Sequence, residues 1–297
     1  MIGIDWGTTR LRAYRLAADG AVLARRDTPR GVLGIEPGGF PDTLRGAIGD
    51  WIAEGESQVL ICGMAGSQIG WIDTPYLPCP ADLEALAEAA VVVPFDGADV
   101  RIVPGLSCRD RHGVPEVMRG EETQMLGAAL GDDATTICLP GSHTKWASMA
   151  GGAVTGFTTH LSGEAFAALS GHTILGRMMD TGAPHHPRGF ARGVARARQG
   201  GGLLHHLFGV RASSIFNEIN EAEAASFLSG LLIGHEVAAA LEEGVAPPVI
   251  LIGADVLTAR YGAALDIFGI PHRSAAPDAA AQGLYRIAQR LGMNAAR

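Results

Sequence analysis

Two stretches of this chain, residues 2–25 and 135–158, carry the same succession of elements. Each reads as an apolar strand, a turn of small residues, a second strand, a tight hairpin and a third strand. In the first, Ile2–Asp5 is a strand, Gly7-Thr8-Thr9 a turn and Leu11–Leu16 a second strand. Asp19-Gly20 is a hairpin signal, and Ala21–Arg25 the third strand. In the second, Thr135–Leu139, Pro140-Gly141-Ser142-His143, Thr144–Met149, Gly151-Gly152 and Val154–Thr158 take the same places. The stretches share no residue pattern. Architecture that recurs without sequence identity points to two related halves. An antiparallel opening of this kind also excludes the βαβ start of a dinucleotide-binding fold.

The remaining segments alternate helix and strand. Helices are expected at Phe40–Glu54, Pro80–Ala90, Gly120–Leu130, Gly163–Leu169, Pro187–Gln199, Leu203–Phe208, Glu221–Leu241, Asp255–Leu265 and Asp278–Leu291. Strands are expected at Val59–Cys62, Ile102-Val103, Val249–Ile252 and Pro271–Ser274. The fold class is therefore α/β with mixed sheets. The domains are expected to be 1–133 and 134–297, with the last helix free to pack back on the first.

At 297 residues, 47% hydrophobic and 18% charged, the chain reads as a soluble globular protein with no apolar run long enough to span a bilayer. Its charge sum, 23 − 31 = −8, argues against nucleic-acid partners, whose phosphates need neutralising. Cys62, Cys79, Cys108 and Cys138 form no C-x-x-C pair and read as small buried hydrophobes. The N-terminus has neither basic leader nor long apolar stretch, which leads us to expect a cytoplasmic protein with no membrane partner.

Three turns carry chemical signals. In Asp5-Trp6-Gly7-Thr8-Thr9 a carboxylate ends a strand, glycine admits close approach and two hydroxyls follow. Backbone N–H groups of such a turn can wrap phosphate, and Asp5 can hold Mg²⁺ through water. The turn Leu139-Pro140-Gly141-Ser142-His143-Thr144-Lys145 stands at the corresponding place in the second half. It contains the single lysine among 23 basic residues, a point charge suited to phosphate. The third, Ile250-Leu251-Ile252-Gly253-Ala254-Asp255, runs an apolar strand into a helix start, with Asp255 as a plausible N-cap, and suits an adenine ring lying on Gly253 and Ala254. Each turn also has a plain structural reading as an ordinary turn or cap.

These residues resemble the actin, sugar kinase and heat-shock ATPase superfamily, and more narrowly the 2-dehydro-3-deoxygalactonokinase family. The resemblance rests on Ile4-Asp5-Trp6-Gly7-Thr8-Thr9, Gly63-Met64-Ala65-Gly66-Ser67 with Trp71, and Val103-Pro104-Gly105-Leu106. It continues through Arg119-Gly120-Glu121-Glu122-Thr123-Gln124, Leu139–Trp146, Ser162-Gly163-Glu164, Ile174–Arg177 and Leu228–Gly234, from near residue 2 to near 265. It implies a two-domain actin-like (ribonuclease H-like) ATPase fold with an inter-domain cleft. It further implies ATP-dependent phosphorylation of 2-dehydro-3-deoxy-D-galactonate at its 6-hydroxyl in galactonate degradation, with ATP and Mg²⁺ as cofactors. The sequence departs from the superfamily in two places. The second phosphate loop usually begins with Asp-x-Gly, but here Pro140 precedes Gly141 and no Asp is present, and Gly253-Ala254 replaces Gly-Gly.

Phosphoryl transfer needs a group to take the hydroxyl proton. Glu121 and Glu122 are the leading candidates, with Asp5 as the third catalytic residue. The run Arg119–Thr123 is also similar to a Gly-x-Glu-Glu segment of the exopolyphosphatase branch, so a phosphohydrolase or a nucleotide-binding actin-like sensor is the alternative reading. An anionic keto-acid calls for an arginine. Arg119 is placed first and Arg177 second. The loop Gly63-Met64-Ala65-Gly66-Ser67, with Trp71 as floor and Glu164 nearby, is the candidate substrate site; Asp73 is weaker. His185-His186 and His205-His206 lack metal-ligand spacing and read as exposed helix-end residues. A small-molecule keto-deoxy acid is the expected partner, and a homodimer is the assembly left open.

Overall fold

The computed structural model describes residues 1–128 and 134–293. Its strands are β1 (Ile2–Trp6), β2 (Leu11–Leu16), β3 (Val22–Thr28), β4 (Gln58–Gly63), β5 (Tyr76–Pro78), β6 (Val91–Val93), β7 (Asp99–Ile102), β8 (Gly105–Arg109), β9 (Pro115–Met118), β10 (Thr135–Leu139), β11 (Thr144–Ala150), β12 (Ala153–His160), β13 (Val249–Leu251) and β14 (His272–Ser274). Its α-helices are α1 (Phe40–Ala53), α2 (Leu83–Glu88), α3 (Glu121–Ala128), α4 (Ser162–His172), α5 (Pro187–Ala197), α6 (Leu203–Ile215), α7 (Glu221–Glu242), α8 (Asp255–Phe268) and α9 (Ala279–Arg290).

The chain divides into two compact units. One holds Met1–Ala134, Met149–Phe157 and Ala275–Arg297, the other Thr135–Ser148 and Thr158–Ser274. The tip of the β11–β12 hairpin and helix α9 thus group with the first unit. The boundary expected near residue 133, like the end of the expected Gly120–Leu130 helix, lies outside the described residues.

The first sheet has the order β3-β2-β1-β4-β7-β6, and the second β12-β11-β10-β13-β14. The repeat read from the sequence is therefore a repeat of topology: three consecutive strands, then further strands added on the far side of the first, three in the first sheet and two in the second. In the first sheet β1 is antiparallel to β2 and parallel to β4, so the sheet is mixed. Strands β4 and β13 are almost continuously buried, as expected for central parallel strands covered on both faces. Strand β3, at an edge, alternates between half-buried and exposed positions. A separate sheet of β5-β8-β9 was not anticipated; its three-to-five-residue strands carry too little periodicity to be recognised.

The core of the first unit gathers Ile2, Ile4, Trp6, Leu44, Ile48, Val59, Ile61 and Ile102. In the second, α7 is the central helix. It is long and apolar enough by composition to cross a membrane, contrary to the sequence expectation, but most of it is buried inside the protein. Asn220 and Glu223 close a capping box at its start. Glycines let it press against α5: a Cβ on Gly230 would stand 2.1 Å from the Phe190 carbonyl oxygen. Helix α2 is shorter than expected. It begins after Asp82, whose side chain accepts the Ala85 N–H at 2.9 Å, and Pro80 precedes it.

Candidate active site

In the first unit β1 and β4 run side by side, placing Asp5 opposite Cys62 and Trp6 opposite Gly63. The turn after β1 is closed by Gly7 N–H to Arg10 O at 2.9 Å. Residues 31–33 back it, with Val32 N–H on Gly7 O and Leu33 N–H on Thr8 O, each at 3.1 Å. Gly31 is required there, since a Cβ would lie 2.3 Å from Thr8 O. Thr8 and Thr9 remain exposed.

Asp5 is 12% exposed and lies 3.3 Å from Arg12 Nη1, its register partner on β2. Burial raises its pKa above the usual carboxylate range. Arg12 opposes the rise, and the charges of Glu121 and Asp27 add to it. Helix α3 starts beside this strand end. Gly120, at φ +106°, packs so closely that a Cβ would sit 3.0 Å from Gly63 Cα. The two glutamates that follow differ in role. Glu121 is half-buried, and its Oε2 accepts the Arg119 N–H at 3.1 Å. Glu122 has no exposed surface. Its Oε2 accepts the Gly120 N–H at 2.6 Å and its Oε1 the Thr123 hydroxyl at 2.9 Å. Burial, with the Glu121 charge behind it, pushes Glu122 up to about 7. The expectation that either glutamate could receive a substrate proton is thus corrected: Glu122 anchors the helix start and has no open face.

Two further expectations change. Arg119 is buried and its guanidinium is engaged: Nη1 bonds the Thr74 hydroxyl, Nη2 donates to Thr74 O at 2.8 Å, and the plane lies 4.2 Å over the Tyr76 ring. It braces the loop 63–74 instead of offering a free fork to a carboxylate. Trp71 stacks on Phe40 at 6.3 Å and meets Trp6 and Phe95 edge-on, so its ring belongs to the apolar core and not to a pocket floor. The loop itself is tightly wound. Trp71 N–H donates to Ala65 O at 2.7 Å, and a Cβ at Gly70 would stand 2.3 Å from Met64 O. Met64, Ala65, Gly66 and Ser67 form its first turn, Ser67 Oγ donating back to Met64 O at 2.7 Å.

In the second unit the turn Pro140–His143 joins β10 to β11. Gly141 N–H points to Thr144 Oγ1 at 3.4 Å. The start of α4 rests on this turn: Glu164 N–H donates to Ser142 O at 3.0 Å, and a Cβ at Gly163 would stand 2.3 Å from Gly141 O. The exposed His143 ring bonds the Glu164 carboxylate. Lys145 lies on β11, 4% exposed, with Nζ donating to His143 O at 3.2 Å. It is a buried brace of the turn, not an extended surface charge. Gly253 adopts φ +153°, with its Cβ direction 3.5 Å from Pro140 O. Ala254, not Asp255, is the N-cap of α8; Asp255 is the first helical residue. A cavity of about 220 Å³ opens beside the turn, between α4, α7 and α8. Ser142 and Ser162 give it polar edges, and Phe166, Leu232 and Leu257 an apolar wall.

The structure thus gathers Asp5, Glu121, Glu122 and the Gly63 loop in one place. It gathers Gly141, Ser142, His143, Lys145 and Glu164 in another, with Gly253 packed on Pro140. Arg177 sits in a short 3₁₀ turn after α4, lining a separate surface hollow. His206, expected exposed, is fully buried, its Nδ1 2.9 Å from His235 Nε2. Four residues went unremarked in the sequence: Arg12, Thr74, Glu236 and Tyr261. Thr74, Glu236 and Tyr261 act through partners distant in the chain, which no local motif reports, whereas Arg12 meets Asp5 across the first hairpin.

Comparison with known proteins places the chain. The family model of 2-keto-3-deoxy-galactonokinase matches residues 5–287. A probable 2-dehydro-3-deoxygalactonokinase of Rhizobium meliloti is 39% identical over 93% of this chain and 92% of its own. The 2-dehydro-3-deoxygalactonokinase of Escherichia coli is 34% identical over 95% and 94%. The crystal structure of a Sinorhizobium meliloti protein assigned as 2-dehydro-3-deoxygalactonokinase superimposes with a TM-score of 0.90 at 38% identity, covering 97% of this chain and 98% of that one. At the level of fold alone, an N-acetylglucosamine kinase structure from Porphyromonas gingivalis aligns with a TM-score of 0.52 at 14% identity over 97% and 98% of the two chains, in keeping with the sugar-kinase architecture. The chain belongs to the 2-keto-3-deoxy-galactonokinase family.

Proposed function

We propose that this chain is an ATP-dependent kinase that transfers the γ-phosphoryl group to the 6-hydroxyl of 2-dehydro-3-deoxy-D-galactonate in the cytoplasm. The observation that carries this is family membership over nearly the whole chain, with curated relatives of that name at 39% and 34% identity. The geometry supports it. Phosphoryl transfer asks for positioning and charge neutralisation more than covalent chemistry. The turn Gly141-Ser142-His143 and the cavity beside it are suited to the nucleotide, with Lys145 bracing the turn and Gly253-Ala254 at the start of α8. The turn Gly7-Thr8-Thr9 offers backbone and hydroxyls to phosphate oxygens.

Mg²⁺, when bound, supplies charge neutralisation to the phosphates. Asp5 fits it: a single carboxylate at a strand end, 12% exposed, with a second carboxylate, Glu121, close enough to raise its pKa. Among the described residues no three acidic, His or Cys side chains converge into a cage. That suits an ion that takes one or two carboxylates and keeps its waters. Glu121, half-buried and fixed by the Arg119 N–H, takes the proton of the acceptor hydroxyl. The Gly63–Ser67 loop, held in shape by Arg119 and Thr74, receives the sugar acid.

A coupled ADP assay with ATP·Mg²⁺ and a panel of keto-deoxy sugar acids tests this. ADP release should depend on the acid and favour the galacto over the gluco configuration. Release that is indifferent to the acid would instead identify a phosphohydrolase and overturn the reading.

A further inference from the structure

A buried carboxylate in the second unit takes no part in that chemistry. Glu236 lies in the middle of α7, 3% exposed. Its Oε1 accepts the Trp146 Nε1–H at 2.8 Å, and its Oε2 accepts the Tyr261 hydroxyl at 2.8 Å. Ser162, the first residue of α4, also favours the ionised carboxylate. Tyr261 Oη is also 2.8 Å from Thr144 Oγ1, and Thr144 Oγ1 accepts the Gly141 N–H. The carboxylate therefore connects α7, β11 and α8, elements around the Pro140–Thr144 turn.

Counting hydrogens gives the chain a direction. The Gly141 and Trp146 N–H groups can only donate. With Glu236 ionised, Tyr261 gives its hydrogen to the carboxylate and receives that of Thr144. Thr144 in turn receives Gly141 N–H. Every hydrogen then points from the turn toward one anion. A neutral group at Glu236 would need to donate, and would reverse the Tyr261 and Thr144 hydroxyls. Ser142, Ser162 and Tyr261 all border the cavity beside the turn, so the arrangement ends at its wall. Burial pushes Glu236 up to about 7, which is the cost of placing an anion there, and Ser162, Trp146 and Tyr261 oppose it.

We propose that Glu236 is a positioning residue for nucleotide use: through Tyr261 and Thr144 it fixes the Gly141–Thr144 turn. The inference depends on reading that turn as the nucleotide-phosphate site.

The test compares the parent protein with Glu236→Gln, which keeps the volume but reverses the hydrogen-bond direction, and Tyr261→Phe, which cuts the path while leaving Trp146 on the carboxylate. Steady-state constants for ATP and for the keto-deoxy acid are measured for each, beside a thermal melt to confirm folding. Both variants should raise the KM for ATP about fivefold to tenfold, the net effect of losing one ordinary hydrogen bond, and leave the KM for the acid unchanged. Tyr261→Phe is the milder substitution and decides the matter if Glu236→Gln does not fold. Unchanged constants in a folded variant would refute the role of Glu236 alone and leave the nucleotide assignment standing. An effect confined to the acid KM would refute the assignment of the turn, and the proposal with it.

Discussion

Glu122→Gln isolates the energetic consequence of burying a carboxyl at the start of α3. The side chain has no exposed surface, and its pKa stands at about 7 against an ordinary value of 4.5. The folded state therefore holds this proton more tightly than the unfolded chain does. That advantage is complete below pH 4.5, erodes as pH rises and is gone once pH passes 7. A gap of this size is worth about 3 kcal/mol. Glutamine is neutral at every pH, and its amide oxygen can still accept the Gly120 N–H. The variant should match the parent near pH 4 and exceed it by up to about 3 kcal/mol at pH 8, roughly 6–12 °C in melting temperature for a unit of this size. Glu236, also at about 7, stays in the variant and keeps part of the slope. Melting curves of both proteins from pH 4.5 to 8.5 provide the measurement. A melting difference that is the same at both ends of that range would refute the argument. So would a variant less stable than the parent at pH 8.

If Glu121 is the proton acceptor, Glu121→Gln should lower kcat by about 10²–10⁴-fold with little change in either KM, and Glu122→Gln should spare most of the turnover; steady-state kinetics on the two variants separates them. Lys145→Arg should raise the KM for ATP and also lower stability by about 1–3 kcal/mol, because a larger planar fork must enter a site that is 4% exposed; kinetics and a melt together check it, and a variant unchanged in both would make the lone lysine an accident of composition.

What could be read from the sequence was what is local. The two turns at Gly7 and Gly141 are local, and so are the largely apolar strands β1, β4, β10 and β13, the burial of β4 and β13 on both faces showing as hydrophobic runs. Their order along the chain was enough to expose the repeated topology. The site residues were found by type but not by engagement. Arg119 has the right chemistry for a carboxylate, yet Thr74, 45 residues away, takes both of its terminal nitrogens. Trp71 has the right shape for a pocket floor, yet Phe40 and Trp6 claim it for the core. Glu236 gave a faint signal, a carboxylate inside the apolar run Leu228–Leu241 of a long helix. Its meaning lay in Trp146, 90 residues away, and Tyr261, 25 residues away. Short strands such as β5 and β6 were missed because three residues do not establish a period.

The paired topology gives the single lysine a counterpart. Arg12 is the second residue of β2, and Lys145 is the second residue of β11. Each unit therefore carries one basic side chain at the same step of its first hairpin. In the first unit that side chain meets a carboxylate, because β1 delivers Asp5 opposite Arg12. In the second, residues 139–141 are Leu-Pro-Gly, so the strand end delivers no acid. Lys145 instead turns its Nζ to the His143 carbonyl and fixes the turn from within. One architectural position thus serves two needs. Beside Asp5 a broad guanidinium tempers a carboxylate suited to a metal ion. Under Gly141-Ser142-His143 a compact ammonium fits a buried site where a guanidinium would crowd the strand. Where the second turn lacks an acid, a lysine and not an arginine holds it from within, as the proposed nucleotide site would need if the turn's backbone, not a carboxylate, is to face the phosphates.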